Sequence, residues 1–176
     1  EADGEKRKLL TYHHSGTHLM HSALRRVLGK HVSQKASLVS NDYLRFDFSH
    51  PTQMKEDEIL KVEEDVNSAI EKSITVNINI FKLEEAKKTG AIAFFEEKYG
   101  ENVRVVQMGD VSFEFCGGCH VSNTSEIGYF MVIKESSPGA GNRRIEALCG
   151  SKVLEYFQTE FQNLKNTVNE LSLIHI

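Results

Sequence analysis

His13-His14-Ser15-Gly16-Thr17-His18-Leu19-Met20-His21 carries four of the chain's eight histidines in nine residues. On a helix His14 and His18 fall on one face, one turn apart. Imidazoles at i and i+4 can share one metal ion, as on the zincin helix, but a zincin has a Glu general base directly after the first His. Here that position is Ser15. Two imidazoles do not close a metal shell. Cys116-Gly117-Gly118-Cys119-His120 offers further nitrogen and sulfur donors, with glycines that let the backbone wrap closely. The expected ligand set is His14, His18, Cys116 and His120. His21, at i+3 from His18, is expected to line the same cavity, and His13 to face elsewhere. The bland alternatives are core histidines and a C-x-x-C that is a redox pair or two inert thiols.

The flanking pattern extends the helix to residues 5–28, with Leu9, Leu10, Leu24, Val27 and Leu28 at helical spacing and Gly29 as the stop. Gly16 weakens it by about 1 kcal/mol relative to Ala; between two ligands it is expected to leave room for substrate. Two strands follow, 31–39 and 43–48, around the turn Ser40-Asn41-Asp42. In the second, Leu44, Phe46 and Phe48 alternate with Arg45, Asp47 and Ser49, and Arg45 is expected to pair with Asp47. An acidic helix spans about 55–72, with Ile59, Val62, Val66, Ala69 and Ile70 as its buried stripe. Residues 74–80 alternate as a strand, a short helix starts near Lys82, and a further segment covers about 91–99. Residues 103–108 and 111–115 read as a hairpin turning at Gly109-Asp110, delivering Cys116 at its end. A strand over 129–135, a flexible turn over 137–141 and a strand over 143–149 that closes the sheet complete the body. Residues 151–171 form an amphipathic helix, expected to lead to a further domain. The chain thus divides at 1–150 and 151–176, and its class is α+β: a long N-terminal helix packed on an antiparallel sheet.

At 176 residues, 40% hydrophobic and 26% charged, the chain suits one globular body with a real core. No apolar run approaches the roughly 18 residues a spanning helix needs. Three cysteines and no signal peptide suit a reducing cytoplasm. The first residue is Glu, so the chain reads as a segment of something longer. Net charge is −4, which argues against general nucleic-acid binding, but residues 6–45 hold eight Lys or Arg against the single acid Asp42. Residues 54–101 hold twelve acids against seven bases. One pole could meet phosphates while the other repels them.

The stretches H-S-G-T-H-L-M-H-S-A-L-R, H-V-S-Q-K-A-S-L-V, L-R-F-D-F-S-H, C-G-G-C-H and G-N-R-R-I-E-A-L-C-G, in this order, resemble the editing domain of alanyl-tRNA synthetases over residues 5–150. The resemblance implies a fold of the threonyl/alanyl-tRNA synthetase second additional domain type. It implies one Zn2+ and hydrolysis of the ester in Ser-tRNA(Ala) or Gly-tRNA(Ala). Alanine ligation and ATP binding would belong to parent domains outside this fragment. An apolar pocket rejects smaller or isosteric amino acids weakly, so a second hydrolytic site is needed. Gln34 matches a pocket Gln of the family, and Thr17 is positioned to meet a seryl hydroxyl or, more plainly, to bond back to a helix carbonyl. Arg143, Arg144, Lys35 and Arg25 are the expected tRNA contacts, with no DNA and no membrane as partners. The family commonly has Thr at Cys119, which here could compete as a ligand or oxidise, and Gly at Ala36, where the methyl could narrow the pocket. Whether zinc activates water or anchors substrate is open. The alternatives are a free-standing trans-editing deacylase and a zinc-stabilised tRNA-binding module without turnover. A generic metallohydrolase is weakest, for want of an acid beside the histidine pair.

Overall fold

The computed structural model describes residues 2–93 and 100–174. Helix α1 (Ala2–Val27) leads into strands β1 (Gln34–Val39) and β2 (Leu44–Ser49), then α2 (Glu56–Glu71), β3 (Val76–Lys82) and the single turn α3 (Leu83–Ala86). Strands β4 (Asn102–Met108) and β5 (Ser112–Phe115) form the expected hairpin, Gly109 supplying the positive φ of its turn. Strands β6 (Phe130–Gly139) and β7 (Asn142–Cys149) and helix α4 (Ser151–Ile174) follow. Two antiparallel sheets result, ordered β1-β2-β7-β6 and β3-β4-β5. The α+β class expected from the sequence is what the fold shows. Of the segment expected over 91–99, residues 94–99 lie outside the described residues.

The core lies where α1 and α2 meet the four-stranded sheet. Leu19, Met20, Ala23 and Leu24 of α1 and Val62, Val66, Ala69 and Ile70 of α2 are buried against Leu44, Phe46 and Phe48 of β2 and Ile145 and Ala147 of β7. Burying an aromatic such as Phe46 or Phe48 contributes about 2–3 kcal/mol. The smaller sheet adds Val76, Val106 and Met108 to this core, while Val103, Val105 and Phe115 pack with Ala86 on its other face. β4 is thus covered on both sides. In β3 the alternation holds but the apolar face is buried only at Val76; Ile78 and Ile80 run past the edge of the core and are exposed.

Several expectations need correction. β7 does not close the sheet at an edge; it runs between β2 and β6. β6 continues to Gly139, so the turn shrinks to Ala140-Gly141, the irregularity at Ser136/Gly139 absorbing Pro138. Asp47 does not pair with Arg45; it accepts from Nε and Nη2 of Arg144, directly opposite on β7, at 2.7 Å each. Gly16 does not open space for substrate. It is buried, and a Cβ there would sit 2.7 Å from Cys149 Sγ, so its role is to let α1 lie close on β7. The edge of β6 is blunted by α2: Asn67 donates to Phe130 O and accepts from Phe130 N, both at 2.9 Å, and Glu63 accepts from Val132 N at 2.6 Å.

Helix α4 touches the body at its start, where Val153 is buried and Lys152 approaches Asp42. Leu154, Phe157, Phe161, Leu164, Val168 and Leu171 then form a stripe that is more than half exposed throughout.

Candidate metal centre

Two side chains from α1 and two from the β5 end, 98 or more residues later in the sequence, converge beside the sheets. One ligand atom from each of His14, His18, Cys116 and His120 lies within 4.8 Å of all the others. Cys116 Sγ is 3.3 Å from His14 Nε2 and 3.2 Å from His120 Nε2. Ligands at tetrahedral zinc, with bonds of about 2.0–2.3 Å, are spaced by roughly 3.3–3.8 Å, so these two pairs stand close to the edge length of such a shell. The donor chemistry also fits, one soft thiolate and three imidazoles.

The local sequence explains the convergence. α1 supplies His14 and His18 one turn apart, and the β4–β5 hairpin carries Cys116 to the same level, its N–H donating to Arg104 O. Gly117 and Gly118 then turn the chain so that His120 folds back. Gly118 leaves room for His14 where it stands: a Cβ there would lie 1.9 Å from His14 Cε1 and displace the ring. Arg104 holds the loop through hydrogen bonds to the carbonyls of Cys116 and Gly118. Ser15, which replaces the zincin Glu, is fully buried and lies between Val121 N–H and His120 Nδ1, at 3.1 and 3.3 Å. It aims the His120 ring instead of acting on water.

Charge is distributed to suit a cation. Burial opposes a charged Cys116, but hydrogen bonds from His120, His14 and His18 overcome it and hold the thiol down at about 3, so it is a thiolate. Burial keeps His120 neutral, lowered to about 4. Burial also opposes charge on His18, yet Glu114 and Cys116 raise it to about 10. Glu114 is 2% exposed and faces both His18 Nδ1 and His21 Nδ1, the latter at 2.7 Å.

Beside the cluster opens a cleft of about 460 Å³. His14, His18 and Cys116 line it with Thr17, Gln34 and Ser37. Both sequence candidates for the pocket are therefore there. Thr17 donates to His13 O at 2.8 Å, the plain helix bond, which leaves its oxygen lone pairs as the group offered to the cleft. Gln34 donates to Ser37 Oγ at 3.0 Å. The register shift between Gln34 and Ala36 puts Gln34 and Ser37 on the cleft side, and Ala36 is exposed outside the lining, so its methyl does not narrow the pocket. Cys119 is exposed and outside the four-donor group. His21 lines the cleft as expected, and His13 faces elsewhere: it is buried, with Nδ1 donating to Ser40 O and Nε2 accepting from Cys149 N–H.

Of the four expected tRNA contacts, three are engaged within the domain. Arg25 donates to Val32 O, Arg143 grips Glu135 through two bonds of 2.5 and 2.6 Å, and Arg144 grips Asp47. Lys35 is exposed on β1.

Sequence reasoning missed Glu114 and Arg104. The signal for Glu114 was available: in β5 it is two residues before Cys116, hence on the same face of the strand. An acid does therefore sit beside the histidine pair, which removes the stated objection to hydrolase chemistry, although both its oxygens are taken by imidazoles.

Residues 103–146 match the family described as the Threonyl and Alanyl tRNA synthetase second additional domain. The chain is 55% identical to the alanine–tRNA ligase of Leptospira biflexa over 98% of its own length and 19% of the relative's. It is 58% identical to that of Leptospira interrogans, covering 98% of this chain and 18% of the relative. The corresponding ligase of Sulfurimonas denitrificans is 48% identical over 95% of this chain and 20% of its own length. The chain thus spans about a fifth of the curated relatives it matches. No helix among the described residues is long and apolar enough to cross a membrane.

Proposed function

Taking as premise that this chain is similar along almost its whole length to a segment of alanine–tRNA ligases, we propose that it is the editing domain of such an enzyme. In this reading it hydrolyses the ester that joins serine or glycine to tRNA(Ala). The observation that carries the proposal is the cleft lined by His14, His18 and Cys116 of the four-donor group together with Thr17 and Gln34. A bound Zn2+ would supply a Lewis-acidic anchor there. Four protein donors fill a tetrahedral shell, so the chain's own polar groups carry the remaining work.

Thr17, its proton committed to His13 O, accepts a hydrogen bond from a seryl hydroxyl. Alanine lacks that group, which favours the mischarged ester by leaving less unpaired polar surface in the complex. The Gln34 amide, in the same lining, can hold the ester carbonyl or the incoming water. The acceptor end would meet the basic pole, with Lys35 its exposed member at the cleft strand and Arg25, Arg143 and Arg144 holding that surface in shape. ATP binding and alanine ligation would reside elsewhere in the parent polypeptide, and α4 would lead from this domain (1–150) to a further one.

The test is deacylation of Ser-tRNA(Ala) against Ala-tRNA(Ala), with the intact chain and with Cys116→Ala. Selective loss of serine that is abolished in the variant supports the reading. Full activity of the variant would exclude the metal group from the reaction. Retained tRNA binding with no turnover would favour the binding-module alternative, for which the closed four-donor shell is the supporting observation.

A further inference from the structure

The carboxylate of Glu114 is buried beside the four-donor group, at the lining of the cleft, with the residue 2% exposed. One faces His18 Nδ1 and the other lies 2.7 Å from His21 Nδ1. Its strand, β5, ends two residues later in the ligand Cys116, so one short segment supplies both a donor to the ion and the carboxylate behind another donor. His18 and His21, at i and i+3, present both Nδ1 atoms to that carboxylate from a single turn of α1. An imidazole that donates Nδ1–H to a carboxylate has its tautomer fixed and its Nε2 left as the lone-pair donor.

The charge count points the same way. Three neutral imidazoles and one thiolate around a divalent ion leave one net positive charge. In a buried setting that charge is costly unless a counter-charge is close. Among the described residues, Glu114 is the buried carboxylate in contact with the ligand group.

We propose that Glu114 is the positioning residue of the metal centre, aiming His18 at the ion and neutralising the loaded site, with His21 pinning the carboxylate from behind. The proposal rests on the reading of His14, His18, Cys116 and His120 as a metal group, and assigns Glu114 no contact with substrate. Because both oxygens are committed to imidazoles, it does not abstract a proton from water.

The experiment measures Zn2+ affinity by competition with a chromophoric chelator, and the absorption spectrum of the Co2+-loaded chain. The proteins are the intact chain, Glu114→Gln, Glu114→Asp and His21→Gln. An amide keeps one acceptor but cannot take both N–H groups and carries no charge, so Glu114→Gln should lose about 10–100-fold in Zn2+ affinity, with altered cobalt bands. His21→Gln retains an N–H donor and should stay near the parent value, as a purely packing role of the buried pair would not allow. Glu114→Gln that binds Zn2+ within twofold of the parent chain, or His21→Gln that loses as much as Glu114→Gln, overturns the proposal. Should Glu114→Gln not fold by circular dichroism, Glu114→Asp decides. It keeps the charge with a shorter reach, so it should show intermediate affinity and a shifted cobalt spectrum; parent values in both would overturn the proposal. A parent chain that binds neither ion would instead end the metal reading itself.

Discussion

Individual residues make sharp demands on this site. Gly118 is needed because His14 occupies the space where a Cβ would stand. Gly118→Ala should therefore push His14 off its position and weaken Zn2+ binding at least tenfold, by the same competition assay, with the urea midpoint of the metal-free chain little changed, since Gly118 packs on no core residue. The protonation states give a second expectation. In the metal-free chain Cys116 is already a thiolate above about 3 and His120 is neutral above about 4, while Glu114 and Cys116 raise His18 to about 10, so the free imidazole carries a second proton. Zn2+ must displace that proton. Between pH 7 and 9 binding should then release about one proton from His18, and affinity should rise about tenfold per pH unit. Calorimetry in buffers of different ionisation enthalpy reads the proton count directly, and a count of zero would contradict the assignment.

At the scale of elements, the four-stranded sheet is held in register by a pair that links strands far apart in sequence. Asp47 on β2 and Arg144 on β7 are opposite each other, and Arg144 holds the Asp47 carboxyl below its ordinary value of 3.8. A carboxyl lowered in the folded state adds stability that is present above the unfolded value and is lost as pH falls through the folded one. The chain should therefore lose this part of its stability below about pH 4. Asp47→Asn should be less stable at neutral pH and show a flatter decline between pH 4 and 2, measured by urea unfolding along the pH axis. Asn67 acts between elements of different type, its amide standing in for a strand partner to Phe130. Asn67→Leu leaves a backbone N–H and C=O of β6 without those bonds and should cost about 1–3 kcal/mol in the same measurement.

For the whole molecule, the site depends on two sheets being fixed on one helix, and α4 contributes nothing to that. Beyond Val153 its apolar stripe is exposed. Phe161→Glu with Leu164→Gln should leave unfolding free energy within about 0.5 kcal/mol of the parent chain and Zn2+ affinity unchanged. A larger loss of stability would show that the stripe is covered within the chain.

Periodicity and turn chemistry were enough to locate α1, α2, the β4–β5 hairpin and the strands, because those signals are local. The four donors were legible as well, since His14 and His18 share a helix face by spacing alone and the Cys116–His120 loop carries its own glycines. The motifs also pointed to the similarity with alanine–tRNA ligases. What no local pattern held was the order of the sheet. β7 is placed inside it by long-range pairing with β2 and β6, and this is what diverts Asp47 from Arg45 to Arg144. Gly16 reads locally as a helix weakness, and only the approach of Cys149 reveals it as a contact point. Glu114 was visible as an acid in phase with Cys116, but its two partners belong to a helix more than 90 residues earlier. The sequence by itself determined the elements and the donors, which depend on residues within a turn or two of each other. The tertiary structure decided who faces whom, because a buried charge is settled by partners that only folding brings near.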